Sequence, residues 1–466
     1  MIKTNYDKTN PLSIEAYAKR LLGMSFNDVI QTDVSAPAIS ENKSNKGNLG
    51  QIIEKHHFHY DINSDARPDF SEAGVELKVS PFKKNKNGSL SAKERLVLTM
   101  ISYDEVVGET FETGHFWTKS KLLLLIYYLY QKDIRTLDYK IHYASLFTPP
   151  EEDLHIIRND YEKIITKIKA GKAHELSEGD TLYLSACPKA ANASIRRSQP
   201  FSDIPAKPRA FAYKQSYMTF VLNNYITKAK KTYEPIIKES FASSFEDYVM
   251  DKINSYRGKS IDELCAEFNL DTTKKPKNLE ALLTYRILGI KSNQAEEFVK
   301  AGVVVKTIRI GKNNKIKENM SFPAFKFKEL INETWEDSTF GNYLRETRFL
   351  FVVYRTNENN NLYLAGCLFW NIPYEDLEND VHAVWDRTVK VLKEGLRIQE
   401  KNGKKYNNFP KQSENRVSHV RPHAQNANDT CELPDGRKYP KQCFWLNNSY
   451  ILEQIYDKIF RDNTGK

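Results

Sequence analysis

Cysteine is scarce in this sequence, and its positions form no regular pattern. Five cysteines occur among 466 residues, at Cys187, Cys265, Cys367, Cys431 and Cys443. An odd number with irregular spacing gives no disulfide framework, and the lack of a Cys-x2-Cys pair argues against a standard zinc ribbon. We therefore expect reduced thiols and a cytoplasmic protein.

Long hydrophobic runs are missing as well. The longest extends from Leu122 to Tyr130, which is too short to cross a bilayer. The first residues, Met1 to Asp7, are polar and do not resemble the start of a secretory signal peptide. We therefore expect no association with a membrane.

The composition is that of a globular protein with a moderate excess of positive charge. Hydrophobic residues make up 40% of the chain and charged residues 28%, and the net charge is +9. This excess favours a polyanionic partner such as nucleic acid, but a solvated basic surface explains it equally well. The length of the chain predicts two or three domains.

The residues that suggest chemistry concentrate between Pro68 and Lys78. Apolar and polar residues alternate after Gly74, which predicts a strand with Glu76 and Lys78 on one face. Gly74 can adopt a positive φ, which allows the chain to bend so that Asp69 returns toward Glu76. Two carboxylates and a lysine are therefore expected to meet at the start of this strand.

Two converging carboxylates suit Mg²⁺, which prefers hard oxygen ligands. Glu54, on a predicted helix upstream, adds a third acid for a second metal or for activation of water. With Lys78 beside the acids, the set predicts direct hydrolysis of a phosphodiester, in which metal-bound water attacks and the ammonium offsets negative charge. The alternative is a solvated, charged strand face, which is common in a chain this rich in charge.

Hydrophobic periodicity predicts the elements around this motif. Residues 13–30 are predicted to form one helix capped by Ser13, and residues 150–172 another. Residues 95–106 and 121–130 are predicted to be strands, the second buried on both faces. The mixture of helices and strands indicates an α/β fold.

The order of landmarks in the first half of the chain recurs about 230 residues later. Ala73-Gly-Val-Glu-Leu-Lys78 returns as Ala301-Gly-Val-Val-Val-Lys306. Pro188-Lys-Ala-Ala-Asn-Ala193 returns as Pro422-His-Ala-Gln-Asn-Ala427. Several such matches in the same order make chance an unsatisfactory explanation.

We interpret residues 1–230 and 231–466 as two copies of one α/β domain. Val304, which cannot bind a metal, stands in the second copy where the first has Glu76, and Lys306 alone survives from the acid-and-lysine set. The second copy keeps a long basic loop. This pattern predicts a domain that binds DNA without cutting it.

Two loops carry residues suited to DNA. The Pro-Lys-Ala-Ala-Asn loop of the first copy offers a lysine for guanine and an asparagine for adenine, and arginines nearby suit phosphates. A surface turn is the alternative for this loop, against which its repetition in the second copy argues. The candidates are Pro188, Lys189, Asn192, Arg196 and Arg197 in the first copy, and Arg421, Pro422, His423 and Asn426 in the second.

Taken together, these motifs resemble the MutH family of mismatch-repair endonucleases. The matching segments are Lys46-Gly-Asn-Leu-Gly-Gln-Ile-Ile-Glu54, Asp69-Phe70, Gly74-Val-Glu-Leu-Lys78 and Pro188-Lys-Ala-Ala-Asn192. The duplication is similar to that of two-domain type II restriction enzymes of the Sau-three-A kind. The resemblance implies two tandem restriction-endonuclease-like domains of the PD-(D/E)xK, MutH type, the second catalytically degenerate.

The resemblance also implies a reaction, namely Mg²⁺-dependent cleavage of double-stranded DNA at GATC. It implies one group of residues that bind the metal, a catalytic lysine, and two further lysines near the scissile phosphate. The metal-binding group is Asp69, Glu76 and the backbone carbonyl of Leu77, with Glu54 nearby. The catalytic lysine is Lys78, and the two lysines near the scissile phosphate are Lys46 and Lys119.

For the second copy, the resemblance implies an effector role. Binding of a second GATC there promotes cutting by the first copy, which allows DNA-induced pairing of two chains or looping between two sites. Cys187 replaces an arginine that is usual in the recognition loop, whereas Arg421 keeps it. The second copy is therefore expected to be the stronger GATC reader.

Two other functions stay open at this stage. A MutH-like repair nickase would cut one strand only, and the duplication of the domain argues against it. A regulator that binds GATC without catalysis would not need Glu76 for its function.

Overall fold

The computed structural model describes most of the chain, and the fold is given for that part. The described residues are 6–33, 48–60, 67–190, 192, 194–227, 232–239, 243–271, 276, 278–401, 404–426 and 428–460. The chain divides into two compact units. Unit 1 comprises Met1–Tyr233 and Glu296–Gly302, and unit 2 comprises Glu234–Ala295 and Val303–Lys466.

Unit 1 is an α/β unit with two sheets. Its helices are α1 (Pro11–Ala18), α2 (Phe26–Thr32), α3 (Asn48–Ile52), α4 (Tyr103–Val106), α5 (His115–Ser120), α6 (Glu151–Lys169) and α7 (Gln215–Val221). Its strands are β1 (Glu76–Lys84), β2 (Leu90–Ala92), β3 (Leu96–Met100), β4 (Leu123–Leu129), β5 (Ile141–Phe147), β6 (Leu184–Pro188), β7 (Arg197–Gln199), β8 (Ser202–Ala206) and β9 (Arg209–Tyr213).

The first sheet of unit 1 has the strand order β2-β1-β4-β5. β1 and β4 run parallel, with Glu76 opposite Leu123, while β2 and β5 pair antiparallel at the two sides. β4 is buried along nearly its whole length, and Leu124 and Ile126 pack with apolar residues of α1, α2 and α3. This core fixes the start of β1, where the acidic motif lies.

The second sheet of unit 1, β3-β9-β6, places the predicted recognition loop. Asp160 on α6 is buried and accepts backbone N–H groups from Leu182, Tyr183 and Leu184 at 2.9, 2.7 and 3.0 Å. These bonds hold the start of β6, so that Pro188 at its end emerges at the surface. The hairpin β7–β8 follows.

Unit 2 is also an α/β unit. Helices in the second half of the chain are α8 (Phe245–Asn254), α9 (Ile261–Glu267), α10 (Leu279–Leu288), α11 (Glu296–Ala301, within unit 1), α12 (Phe327–Leu330), α13 (Thr339–Glu346), α14 (His382–Glu394) and α15 (Asn448–Phe460). The strands are β10 (Val303–Ile310), β11 (Met320–Ser321), β12 (Arg348–Thr356), β13 (Leu362–Trp370), β14 (Ile398–Lys401), β15 (Lys404–Asn407), β16 (Ser418–Pro422), β17 (Thr430–Glu432), β18 (Lys438–Pro440) and β19 (Gln442–Leu446).

The strand pairing of unit 2 follows that of unit 1. β10 runs parallel to β12, and β13 pairs antiparallel with β12, as β1, β4 and β5 do. β11, β19 and β16 form a second sheet in the order of β3, β9 and β6. Each unit therefore has a three-strand core of one parallel and one antiparallel pair, and a second sheet that ends in a loop.

The prediction of one helix over residues 13–30 is wrong. The chain forms α1 and α2 with a turn between them at Gly23, where φ is +85°. Ser25 and Asp28 form a capping box that starts α2. Asn10 rather than Ser13 caps α1.

The other predicted elements agree with the structure in varying degree. The strand predicted over 95–106 ends at Met100, and the residues from Tyr103 form α4 instead. The buried strand over 121–130 and the helix over 150–172 are confirmed as β4 and α6. Among the described residues, no helix has the length and apolar character needed to cross a bilayer.

Candidate active site

The acidic motif of unit 1 folds back on itself at the start of β1. Gly74 has a φ of +66°, and Phe70 and Val75 exchange two backbone hydrogen bonds across the turn. Asp69 Oδ2 then accepts the N–H of Leu77 at 2.8 Å, and the N–H of Asp69 lies 3.3 Å from Glu76 Oε2. The predicted return of Asp69 toward Glu76 is confirmed.

Two lysines meet the same carboxylate. Lys78 Nζ lies 2.8 Å from Glu76 Oε1 and donates to the carbonyl of Leu98 at 3.2 Å. Lys119, which comes from α5, places its Nζ 3.6 Å from the same Glu76 oxygen. Glu76 is buried, with 3% of its surface exposed, so both ammonium groups act on it in an environment of low polarity. Lys46 lies outside the described residues.

Glu54 joins the two acids electrostatically. It lies in the π-helical turn Ile53–His57 that continues α3. Burial, and then the negative charge of Asp69, raise the pKa of Glu54 to about 7. Burial, and then the charge of Glu76, raise the pKa of Asp69 to about 6. Without a cation, Glu54 and Asp69 thus hold protons at a pH at which an exposed carboxyl group would release them.

The donor set fits a hard divalent cation. Carboxylate oxygens, a backbone carbonyl and water are the ligands that Mg²⁺ takes, and it is usually bound through only one or two carboxylates. No group of three or more His, Cys, Asp or Glu residues in a metal-ligating arrangement occurs within the described part of the chain. Asp69, Glu76 and the Leu77 carbonyl are the residues that would hold the cation, with Glu54 nearby.

A cleft of about 430 Å³ opens beside this cluster. β3, α4, α5, β7 and β9 contribute its walls. Arg197 lines it together with Lys78 and Lys119, so its wall carries three positive side chains beside three glutamates. The lining residues are Glu76, Lys78, Leu98, Thr99, Met100, Ser102, Glu105, Val106, Glu109, His115, Phe116, Lys119, Arg197 and Phe211.

Sequence reasoning missed several polar residues of this cleft, among them His115 and Glu109. His115 is exposed, and its Nδ1 forms a short contact with Glu109 Oε1, while its backbone N–H lies 3.2 Å from Glu109 Oε2. The only signal in the sequence is that His115 precedes Lys119 by four residues, which places both on one face of a helix. That signal is useful only once Lys119 is known to face the site.

The predicted recognition loop of unit 1 is exposed. Pro188 and Lys189 lie at the surface beyond β6, and Arg196 is exposed farther along the chain. The side-chain oxygen of Asn192 accepts the N–H and the hydroxyl of Ser194 at 3.1 and 2.6 Å. Asn192 therefore shapes the loop, and a bidentate contact with adenine would require these bonds to break.

The corresponding loop of unit 2 is exposed as well. Arg421, Pro422 and His423 lie at the surface where β16 ends. The guanidinium of Arg421 stacks over the ring of Trp445, 5.3 Å from its centroid. The side-chain oxygen of Asn426 accepts the N–H of Asn428 at 2.9 Å, which repeats the turn that Asn192 makes in unit 1.

Two acids and a lysine at the start of a strand, beside a cleft that a second lysine and an arginine also line, are typical of metal-dependent nucleases. A family model described as "DNA mismatch repair enzyme MutH" matches residues 58–160. MutH of Vibrio parahaemolyticus serotype O3:K6 is 29% identical over 216 residues, which cover 45% of this chain and 92% of that protein. MutH of Shewanella woodyi is 30% identical over 184 residues, which cover 39% of this chain and 78% of that protein.

Similarity to one further protein extends over both units. The type II restriction enzyme Sau3AI of Staphylococcus aureus is 41% identical over 462 residues, which cover 90% of this chain and 94% of that protein. The chain therefore belongs to the family of this type II restriction enzyme and, through its first half, to the MutH family. It is an endonuclease of the type II restriction class.

Proposed function

We propose that unit 1 hydrolyses double-stranded DNA at GATC with Mg²⁺, and that unit 2 binds a second GATC as an effector. The observation that supports this most is the convergence of Asp69, Glu76, Lys78 and Lys119 within hydrogen-bonding or ion-pair distance at one end of a cleft. The two lysines and Arg197 on the wall of this cleft suit the phosphates of DNA.

Each residue of the cluster then has a physical role in hydrolysis. Mg²⁺, when bound, lowers the pKa of its water and polarises the scissile phosphate. Asp69 and Glu76 hold the cation, and the turn at Gly74 keeps the two carboxylates together. Lys78, fixed by the Leu98 carbonyl, orients the attacking water and offsets charge that develops on the phosphate.

GATC recognition is assigned to the loops that follow β6 and β16. Lys189 suits the O6 and N7 atoms of guanine, and Arg421 offers the bidentate donor pair that guanine favours most. Pro188, Pro422 and His423 lie beside them at the surface. Arg196 and Arg197 suit phosphates, and Arg197 lines the cleft itself.

The catalytic part of the proposal is tested by incubating the whole protein with Mg²⁺ and plasmids that contain or lack GATC, followed by sequencing of the ends. We expect double-strand breaks at GATC only. Breaks elsewhere contradict the specificity, and nicks confined to one strand favour a MutH-like nickase instead. Binding without cleavage under any divalent cation favours the regulator.

The effector part requires an intact chain. Truncation after residue 239 also removes Glu296–Gly302, which belongs to unit 1. Lys300 in this segment is buried and lies 2.6 Å from Asp153 Oδ1, so a truncated protein would lose activity through instability. A substitution in the full-length protein distinguishes loss of the effector site from loss of stability.

Arg421→Ala is that substitution. We expect it to abolish the stimulation that a short GATC duplex gives to cleavage of a one-site plasmid, with the unstimulated rate retained. Lys390→Ala, at an exposed residue of α14, is the matched loss of one positive charge and should leave stimulation unchanged. Undiminished stimulation in Arg421→Ala would reject the assignment of the effector site to this loop.

A further inference from the structure

The proposed reaction assigns no role to His115, although this residue lies in the same cleft as the acidic cluster. It lines the cleft that also contains Lys78 and Lys119, and slightly more than half of its side chain (54%) is exposed. It precedes Lys119 by one helical turn on α5, so their Cβ atoms are roughly 5–6 Å apart. Lys119 in turn reaches Glu76 of the metal cluster. His115 thus lies one step farther from the reacting centre along the same wall.

Glu109 fixes the imidazole of His115. A carboxylate only accepts hydrogen bonds, so the Nδ1 that contacts Glu109 carries a proton. Nε2 is then the ring atom left for a ligand. A phosphate oxygen also only accepts, so it binds the doubly protonated, positively charged ring.

We propose that His115, oriented by Glu109, binds a backbone phosphate of the cleaved strand next to the scissile one. This assignment rests on the proposed function, because it requires DNA in the cleft. His115 lies one helical turn, about 5.4 Å along the axis of α5, from Lys119, so it meets a phosphate beside the one that Lys119 reaches rather than the same one. His115 is therefore a DNA-positioning residue and takes no part in breaking the bond.

Unit 2 provides an internal comparison for this residue. Glu333 caps α13 as Glu109 caps α5, since Thr339 donates its N–H to Glu333 at 3.1 Å and its hydroxyl to the other carboxylate oxygen at 2.5 Å. The capping glutamate therefore has a structural role in both units. At the first residue of this helix, unit 1 has His115 and unit 2 has Thr339. The histidine therefore accompanies the acidic cluster, which is in unit 1.

His115→Thr is the sharpest test, because Thr339 shows that threonine keeps the capping contacts. Affinity for a GATC duplex is measured in the full-length protein with Ca²⁺ in place of Mg²⁺ across a salt series. We expect roughly tenfold weaker binding, and a plot of log K against log salt that is less steep by about 0.9. The single-turnover rate of the saturated complex should change much less than the affinity.

Two further variants serve as controls. His115→Lys keeps a positive charge and should restore the salt slope, whereas Lys121→Ala removes an exposed charge outside the cleft and should change neither slope nor affinity. Equal affinity and slope for His115→Thr and the unsubstituted protein overturn the assignment. A failure of the proposed function is distinguishable, because the unsubstituted protein would then neither bind nor cleave GATC duplexes.

Discussion

The cleft of unit 1 and the corresponding pocket of unit 2 are built from equivalent elements but have different contents. In unit 1, α4, α5 and β9 enclose a cleft that contains Glu76 and two lysines. In unit 2, α12, α13 and β19 enclose a smaller pocket of about 180 Å³ whose walls are mostly apolar. Tyr343 occupies the place of Lys119, and Phe444 that of Phe211. The scaffold is therefore independent of the charges that one copy carries.

The chain that enters the first core strand differs even more between the two units. Before β1 it makes a tight turn that returns Asp69 to Glu76. Before β10 it forms α11, which packs in unit 1, and β10 then presents Val304 where β1 presents Glu76. Lys306 remains on β10, where burial lowers its pKa. In the described residues, the chain that enters β10 thus lacks both the turn and the acid on which the proposed cation site of unit 1 depends.

Glu76→Val, which gives unit 1 the residue of unit 2, should have the largest effect. The cation loses a carboxylate and both lysines lose their common partner, so cleavage should fall by at least about a thousandfold. Single-turnover cleavage in Mg²⁺ measures the loss, and binding in Ca²⁺ monitors the integrity of the DNA site. Glu72→Gln, at an exposed acid in the same turn, is the control and should cut normally. Cleavage above a tenth of the normal rate in Glu76→Val would contradict the comparison.

Lys300→Met tests whether α11 is part of unit 1. The substitution leaves Asp153 buried without its cation, and the free energy of unfolding should fall by about 3–5 kcal/mol. Tyr217 still donates to Asp153 at 3.0 Å, so a neutral asparagine at that position keeps one hydrogen bond. The double variant Asp153→Asn, Lys300→Met should therefore regain part of the loss in urea unfolding. A single variant as stable as the unsubstituted protein would mean that the pair contributes nothing.

The smallest expected effect is a change with pH in how far Mg²⁺ stabilises the folded protein. The folded-state pKa values of Glu54 and Asp69, about 7 and about 6, lie above their ordinary values of 4.5 and 3.8. The folded protein therefore binds more protons than the unfolded chain between about pH 4 and pH 7, so its stability without metal falls as pH rises through this window.

On the proposed function, Mg²⁺ would remove this penalty, and protons would compete with it below pH 6. The increase in Tm that Mg²⁺ causes should therefore be larger at pH 8 than at pH 5, and it should vanish in Glu76→Val. Thermal unfolding with and without the ion at both pH values measures this. A shift that is equal at the two pH values would show that the acids do not bind the ion.

The acidic motif was predictable in detail because its determinants are local. A glycine with positive φ, a period-two alternation and short spacing are enough to bring Asp69, Glu76 and Lys78 together. The cap of α1 and the break at Gly23 are also local features, yet the prediction for both was wrong. Ser13 is as suitable a capping residue as Asn10, and the apolar spacing typical of a helix continues across the turn at Gly23.

The rest of the cleft was not predictable, because it comes from segments far apart in the chain. Arg197 was identified as a phosphate contact, but only the fold places it beside Lys78. His115 and Glu109 are ordinary polar residues until α5 is packed against β3. The two loop asparagines were expected to read bases, and the structure shows that both also form turns within their own loops.

By itself, the sequence determined the class of fold, the position of the acidic motif and the loss of the acid in the second half, since these depend on residue type and short spacing. Only the tertiary structure decided that Lys119, Arg197 and His115 share one cleft with Glu76, and that Glu296–Gly302 belongs to unit 1. Long-range packing brings these segments together, and no local pattern in the chain records it.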